Sequence, residues 1–320
     1  MLADLTIDGK PRKVLMHAPK NGFFYVIDRT NGQFISGNNY VPVTWAKGLD
    51  PKTGKPIENP DARYYKTGKP WIGMPGAGGA HSWHPMAFNP KRGLVYIPAQ
   101  IAAFPYFPDP DWKPAKQGFN VGIDMAAGAM PPIPAVRAGA IAATKGALIA
   151  WDPVAQKERW RVDYPGPWNG GLLSTGGDLV FQGNAAGGFA AYSAADGKKL
   201  WNFEAQTGVI AAPITYTIGG EQYVAVMAGW GGVWSLAPGI LSDISGRCAT
   251  SAGCWCSRSA ARRSSRRRRR TTRLRSIRRR APPRPKRSRK GRSSTAASAA
   301  PATAIRRSPG ASRPTCATRR

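Results

Sequence analysis

A repeat of about 40 residues constrains the fold of this chain more than any other feature. Its unit reads Gly-x3-small-x-Asp/Ser-x3-Gly-x3-Trp, and two copies, Gly146–Asp152 and Gly187–Ser193, begin 41 positions apart. Each copy is followed by a tryptophan, Trp160 or Trp201. A third copy, Gly22–Asp28, begins 124 positions before the first, close to three periods. Short strands at such a period are typical of β-propeller blades and predict an all-β fold.

A single blade cannot bury both faces of its sheet, so neighbouring blades must stack around an axis. We therefore predict that Trp160 and Trp201 pack between adjacent sheets. Two segments rich in Pro, Gly and polar residues, 50–79 and 103–134, interrupt the repeat. We expect them to be long loops, either functional or disordered.

Charge divides the chain near residue 246. Residues 1–246 carry 22 basic and 17 acidic side chains, whereas 247–320 carry 25 basic and no acidic ones. The net charge of +30 thus comes mainly from the tail. All four cysteines, Cys248, Cys254, Cys256 and Cys316, lie in the tail, so the preceding region says nothing about redox compartment. No stretch is long and apolar enough to span a bilayer.

The tail, residues 247–320, has the composition of a disordered segment. An Arg-rich arm of this kind could neutralise nucleic-acid phosphates, but Trp255 is its one aromatic residue. Cys254-Trp-Cys256 is not the Cys-x-x-Cys-His motif that attaches haem c. A neighbouring reading frame with G/C-biased codons can encode a strand-like sequence here, so we favour a frameshifted tail and expect no nucleic-acid partner.

Five motifs in order resemble the PQQ-dependent alcohol dehydrogenases, in particular their soluble quinohaemoprotein type. They are Pro19–Arg29, Gly78–Met86, Gly93–Gln100, Pro167–Gly171 and Gln222–Gly232. The resemblance runs from Leu2 to about Gly246 and implies an eight-bladed propeller with PQQ and calcium at its axis. Residues 1–246 would form an incomplete propeller of roughly five to six later repeats.

The resemblance also assigns cofactor contacts. Lys20 matches the lysine that hydrogen-bonds the quinone, where an ammonium would stabilise charge developing as hydride arrives. Ser82-Trp83 stands where the family has Asn-Trp, and the shorter serine puts that polar contact in doubt. Trp168 matches a tryptophan near the quinone plane. The remaining matched positions are Asn169, Ala228 and Gly229.

The two histidines that flank Trp83, His81 and His84, have no Cys, Asp or Glu nearby in sequence. A metal site is therefore disfavoured, and we expect both to support the pocket wall. The alternative for Lys20 is a solvated surface lysine, and for Trp168 it is core packing.

The family's catalytic aspartate and its calcium ligands match no position in this chain, so we expect no catalytic residue and no metal ligand here. The implied reaction is oxidation of a primary alcohol by hydride transfer to PQQ, with a cytochrome or similar acceptor and a periplasmic location. Haem c is compatible with the complete protein.

The N-terminal residues lack signal-peptide features, so the chain is either cytoplasmic or incomplete. We expect the isolated fragment to be inactive and to expose unpaired edges; the alternative is a non-catalytic propeller scaffold.

Overall fold

The computed structural model describes residues 1–117, 120–129 and 132–230 as antiparallel sheets joined by loops. The first sheet, blade 1, runs in the order β1-β2-β3-β4. Its strands are β1 (Leu2–Ile7), β2 (Lys10–His17), β3 (Phe23–Asp28) and β4 (Phe34–Asn39). The loop segment that follows carries β5 (Ala46–Leu49), β6 (Pro56–Glu58), a 3-10 turn (Pro60–Ala62), α1 (Tyr64–Thr67) and β7 (Trp71–Gly73).

Blade 2 has the strand order β8-β9-β11-β12, with an excursion between its second and third strands. The strands are β8 (Ala87–Asn89), β9 (Leu94–Ile101), β11 (Lys145–Asp152) and β12 (Lys157–Tyr164), and the excursion carries β10 (Phe104–Tyr106) and α2 (Pro134–Ala143). Blade 3 consists of β13 (Leu172–Ser174), β14 (Leu179–Gly183), β15 (Gly188–Ser193) and β16 (Lys199–Glu204). A hairpin of β17 (Ile214–Ile218) and β18 (Glu221–Ala225) follows.

The sequence repeat corresponds to the third strand of each blade, a tight turn and the fourth strand. The Asp/Ser position ends the third strand, and its side chain accepts a hydrogen bond from the backbone N–H two residues on, as at Asp28, Asp152 and Ser193. In each blade the register between the third and fourth strands shifts once, at Val26/Ile27, Ala150/Trp151 and Ala191/Tyr192. The repeat therefore encodes a turn and a bulge as well as two strands.

Adjacent blades pack face to face through apolar clusters. Blade 1 meets blade 2 through a core that includes Met16, Phe24 and Ile97. Blade 2 meets blade 3 through a second core that includes Tyr96 and Leu148, with Trp160 partly buried against it. Trp201 packs likewise into the cluster between blade 3 and the hairpin. Both repeat tryptophans thus lie where stacked blades need a bulky side chain.

The number of blades differs from the five to six repeats that the resemblance implies. The copies at Gly22–Asp28 and Gly146–Asp152 begin close to three periods apart, yet their strands, β3 and β11, lie in adjacent blades. The long segments 40–86 and 102–144 occupy the extra residues, so the described residues hold three four-stranded blades and a hairpin rather than five or six repeats. The two expected loops are ordered against each other, since β7 pairs with β10.

Candidate functional site

The matched residues lie on connections between or after strands. Lys20 lies between β2 and β3, Trp83 before β8 and Trp168 before β13, and Ala228 and Gly229 follow β18. Four backbone hydrogen bonds join these connections, each from an N–H to a carbonyl of the neighbouring segment. They run from Ala80 to Lys20 (2.9 Å), from Leu172 to Pro85 (2.9 Å), from Gly171 to Ile210 (3.3 Å) and from Gly229 to Gly208 (2.7 Å). Segments far apart in sequence thus form one continuous wall.

Lys20 lies on the turn between β2 and β3 with its side chain exposed. Its stem packs against Gly79, where a Cβ would lie 2.5 Å from Lys20 Cγ. Gly79 also has a φ of +81°, so glycine is needed there for two reasons. This packing leaves the ammonium end available to a ligand of the wall.

Four hydrogen-bond donors hold the backbone of the Lys20 turn in place. The carbonyls of residues 18 to 21 accept hydrogen bonds from His81, Tyr40 Oη, the Ala80 N–H and Trp45 Nε1 in that order. Each donor comes from outside the turn, so the turn is held by surrounding segments rather than by its own sequence. The backbone of Lys20 is therefore fixed by contacts with other segments.

Trp83 is 55% exposed in a loop whose neighbours are buried. Its indole stacks on His84 with ring centroids 4.1 Å apart and meets Trp168 edge-on at 6.3 Å. An exposed indole braced by two rings is a platform on which a planar ligand can stack. Ser82 beside it is half-buried.

His84 is buried behind this platform and faces Trp168 edge-on at 4.9 Å. Burial, followed by the positive charge of His81, lowers the pKa of His84 to about 4. The ring is therefore neutral near pH 7. Its Nε2 is buried and has no hydrogen-bond partner among the residues that the structure describes.

Trp168 is buried and packs with Ala185, Ile210 and Trp230. Its backbone has a φ of +66°, a left-handed conformation that costs conformational energy for any residue other than glycine. A bulky residue held in this conformation indicates that its indole must point in one direction. Both interpretations of Trp168 from the sequence, core packing and a place beside the cofactor pocket, are therefore compatible, because its indole packs in a core and also contacts Trp83.

Asn169 is buried, and its Nδ2 donates to the Gly166 carbonyl at 3.1 Å. Gly146 lies against this amide, since a Cβ there would be 2.2 Å from Asn169 Nδ2. The side chain thus supports the loop that carries Trp168. Its contact with a cofactor stays a prediction.

Ala228 is exposed, and Gly229 follows it with its N–H bonded to the Gly208 carbonyl. This bond brings residues 228–230 beside the strand-like segment at Val209. The motif to which they belong continues to Gly232, which lies outside the described residues, as does the tail 247–320.

His81 is 7% exposed and lies between the Lys20 turn and the Trp83 loop. Its Nδ1 is 2.6 Å from the Ala18 carbonyl oxygen and its Nε2 is 2.7 Å from that of His84. Both ring nitrogens are therefore engaged, which leaves none for a metal ion. In the part of the chain that the structure describes, no group of three or more His, Cys, Asp or Glu side chains could hold a metal.

These contacts give the wall a definite chemistry: one ammonium, one exposed indole backed by a neutral imidazole, and backbone that approaches closely at glycines. A flat, anionic aromatic molecule fits this set better than an aliphatic or cationic one. The sequence did not reveal the bridging role of His81 or the packing of Gly79 on Lys20. The consecutive Gly78-Gly79 pair was a signal for the second, because paired glycines mark close approach of backbone.

Comparison with known proteins gives consistent matches. Residues 142–224 match the family model described as "Glucose/ethanol/alcohol dehydrogenase, beta-propeller domain" of the PQQ group. The dehydrogenase subunit of alcohol dehydrogenase (quinone) from Komagataeibacter europaeus is 53% identical over 247 residues, covering 77% of this chain and 33% of that protein. The 1-butanol dehydrogenase (cytochrome c) of Thauera butanivorans is 46% identical, covering 73% and 33%.

Among solved structures, quinohemoprotein alcohol dehydrogenase ADHIIG from Pseudomonas putida matches with a TM-score of 0.72 and 49% identity, over 77% of this chain and 36% of that one. The chain thus spans about a third of the length of the relatives it matches. Within the described ranges, no helix is long and apolar enough to cross a membrane.

Proposed function

Because this chain belongs to the PQQ-dependent alcohol dehydrogenase family, we propose that its inner wall binds PQQ in an enzyme that oxidises primary alcohols. When bound, PQQ supplies a quinone that accepts hydride from the alcohol carbon. Lys20 would hold the cofactor by donating a hydrogen bond to it, and its ammonium would stabilise negative charge that develops there. Trp83 provides the stacking surface, and Trp168 and neutral His84 hold that surface in place.

The observation that supports this proposal is the series of backbone hydrogen bonds that links the connections carrying Lys20, Trp83 and Trp168. Ser82, Ala228 and Gly229 lie on the same connections. Asn169 supports the wall from behind. The fold therefore offers a ligand one cation and one exposed aromatic face in fixed relation.

The remaining parts of the enzyme follow from the family. We expect the catalytic aspartate and the calcium ligands to come from blades other than those described. A relative's name includes cytochrome c, which supports a cytochrome as the electron acceptor of the whole protein. A periplasmic location, a small alcohol substrate and a haem c elsewhere in the whole protein belong to the same proposal.

Titration of the full chain with PQQ tests the assignment, with binding followed by quenching of tryptophan fluorescence. The variant Lys20→Met keeps the stem that packs on Gly79 but removes the charge, so we expect the affinity to fall about tenfold or more. The control is Lys10→Met at the opposite end of β2, which should bind as the parent does. Equal affinity in all three proteins would remove Lys20 from the binding site, whereas no binding at all would favour a propeller scaffold without a cofactor.

A further inference from the structure

His81 makes two contacts that the proposed function does not require. Its ring lies between two carbonyl oxygens, that of Ala18 at 2.6 Å from Nδ1 and that of His84 at 2.7 Å from Nε2. Ala18 precedes Lys20 by two residues, and His84 follows Trp83 directly. The imidazole therefore joins the segment that carries the cation to the segment that carries the stacking platform.

The chemistry of these contacts restricts the ring. A backbone carbonyl can accept hydrogen bonds but cannot donate them. A neutral imidazole has one N–H, so one of its nitrogens would direct a lone pair at a carbonyl oxygen at hydrogen-bond distance. An imidazolium has two N–H groups and satisfies both carbonyls. A buried ring in this position is best satisfied when both nitrogens are protonated.

The two other histidines of the chain lie near His81. On β2, the pKa of His17 is lowered first by burial and then by the charges of the N-terminus and His81. In the loop itself, His84 is kept neutral by burial and by the same His81 charge. Lys20 and Tyr40 are the other titratable groups on the segments that meet it, and the Tyr40 hydroxyl donates to the Pro19 carbonyl.

We propose that His81 is a positioning residue whose imidazolium, donating from both nitrogens, fixes the distance between the Lys20 turn and the Trp83–His84 segment. Both ring nitrogens are occupied by these two carbonyls. The ring acts through the two carbonyls that it binds, and so sets where the ammonium lies relative to the stacking platform. Its effect on cofactor affinity rests on the proposed function, whereas its two hydrogen bonds do not.

The first test is independent of any cofactor. The full chain contains three histidines, so 15N labelling of histidine and long-range 1H–15N NMR give three ring patterns, assigned with His17→Gln and His81→Gln. At pH 6.5 we expect His81 to show two nearly equal nitrogen shifts, each with an attached proton, while His84 shows the split pair of a neutral ring. A split pair for His81 would overturn the proposal.

The second test measures PQQ affinity in histidine variants. In His81→Gln, one end of the amide donates and the other end accepts, so one of the two carbonyl bonds is lost and PQQ affinity should fall about tenfold. His17→Gln is the matched control and should bind PQQ as the parent does. Equal affinity in His81→Gln and in the parent would contradict the proposal.

The two failures are distinguishable. If no protein in the series binds PQQ, the proposed function fails, while the nitrogen shifts still decide how His81 is bonded. If His81→Gln does not fold, the nitrogen shifts of the parent chain still decide whether both ring nitrogens donate. A doubly protonated ring together with unchanged PQQ affinity in His81→Gln would retain the bonds but remove their role in positioning.

Discussion

At the scale of single residues, neighbouring segments fix the backbone that carries the side chains of the wall. Lys20 sits on a turn whose carbonyls are bonded from outside, and Trp168 has a left-handed backbone. Residue type alone could suggest these positions, but it could not predict the contacts that hold their backbone in place. The identity of Gly79, for example, depends on the stem of Lys20, 59 positions earlier in the chain.

The backbone of Trp168 gives the first prediction. Removal of the indole in Trp168→Ala leaves a side chain in a conformation with a φ of +66°, whereas Trp168→Gly removes that strain. Both variants lose the packing of the indole, but we expect the glycine variant to be more stable than the alanine variant by about 1 kcal/mol. Urea unfolding of the two proteins measures this difference, and a more stable alanine variant would refute it.

His84 gives a prediction about pH. Its pKa is about 4 in the folded chain and 6.5 in an unfolded one, so between these values the unfolded chain binds a proton that the folded chain excludes. The free energy of unfolding should therefore fall as pH decreases from about 6.5 to 4, by up to about 3 kcal/mol from this residue. Stability at several pH values should show this slope in the parent.

The matched variants are His84→Leu and His17→Leu. The first should lose most of the slope, because the group that titrates is gone. The second should keep most of it, although the pKa of His17 is also lowered. If both variants retained the full slope, the titrating group would have to be another residue.

At the scale of elements, the repeat could be predicted from sequence because it encodes a local structure: a strand, an Asp/Ser-capped turn and a second strand. Local hydrogen bonds determine that turn, so it recurs wherever its residues recur. The number of blades could not be predicted in the same way. Segments 40–86 and 102–144 have no periodic pattern, and their place outside the blades depends on contacts between distant residues.

Two turn glycines provide a matched pair. Gly32 and Gly197 occupy the same position in their repeats, with φ values of +76° and +73°. A Cβ on Gly197 would lie 2.6 Å from the Trp160 ring, whereas a Cβ on Gly32 meets nothing within 4 Å. Gly32→Ala should cost about 1 kcal/mol from backbone strain alone. Gly197→Ala should cost about 1–3 kcal/mol more, because the ring of Trp160 must move.

Thermal or urea unfolding of the two alanine variants tests this pair. Since the backbone term is common to both, the difference reports the contact between blades 2 and 3. A third variant, Gly197→Ala with Trp160→Leu, should recover part of the loss. Equal destabilisation by the two single substitutions would mean that Trp160 does not pack on the turn.

At the scale of the whole molecule, the described blades leave apolar surface that a complete ring would cover. The outer face of the hairpin carries Ile214, Tyr216 and Ile218, all exposed, while Val224 packs towards blade 3. A propeller removes such faces by stacking each blade on the next. The family match, which covers about a third of the relatives' length, agrees with this picture.

We therefore predict that the purified chain associates with itself through these faces rather than remaining monomeric. Size-exclusion chromatography with light scattering should show association that increases with concentration. Ile214→Thr combined with Ile218→Thr should reduce it, whereas Val154→Thr, at an exposed turn of blade 2, should not. A parent chain that is monomeric and unfolds in one cooperative thermal transition would contradict the prediction.

The central claim is that the linked connections between strands form a wall that binds PQQ, and hydrogen exchange tests it most directly. Mass spectrometry of the full chain with and without PQQ reports protection along the backbone. We predict slower exchange in segments 79–85, 168–172 and 228–230, where the inner connections meet, and unchanged exchange at the β1–β2 turn. Protection at the outer strands instead, or none on addition of PQQ, would contradict the account.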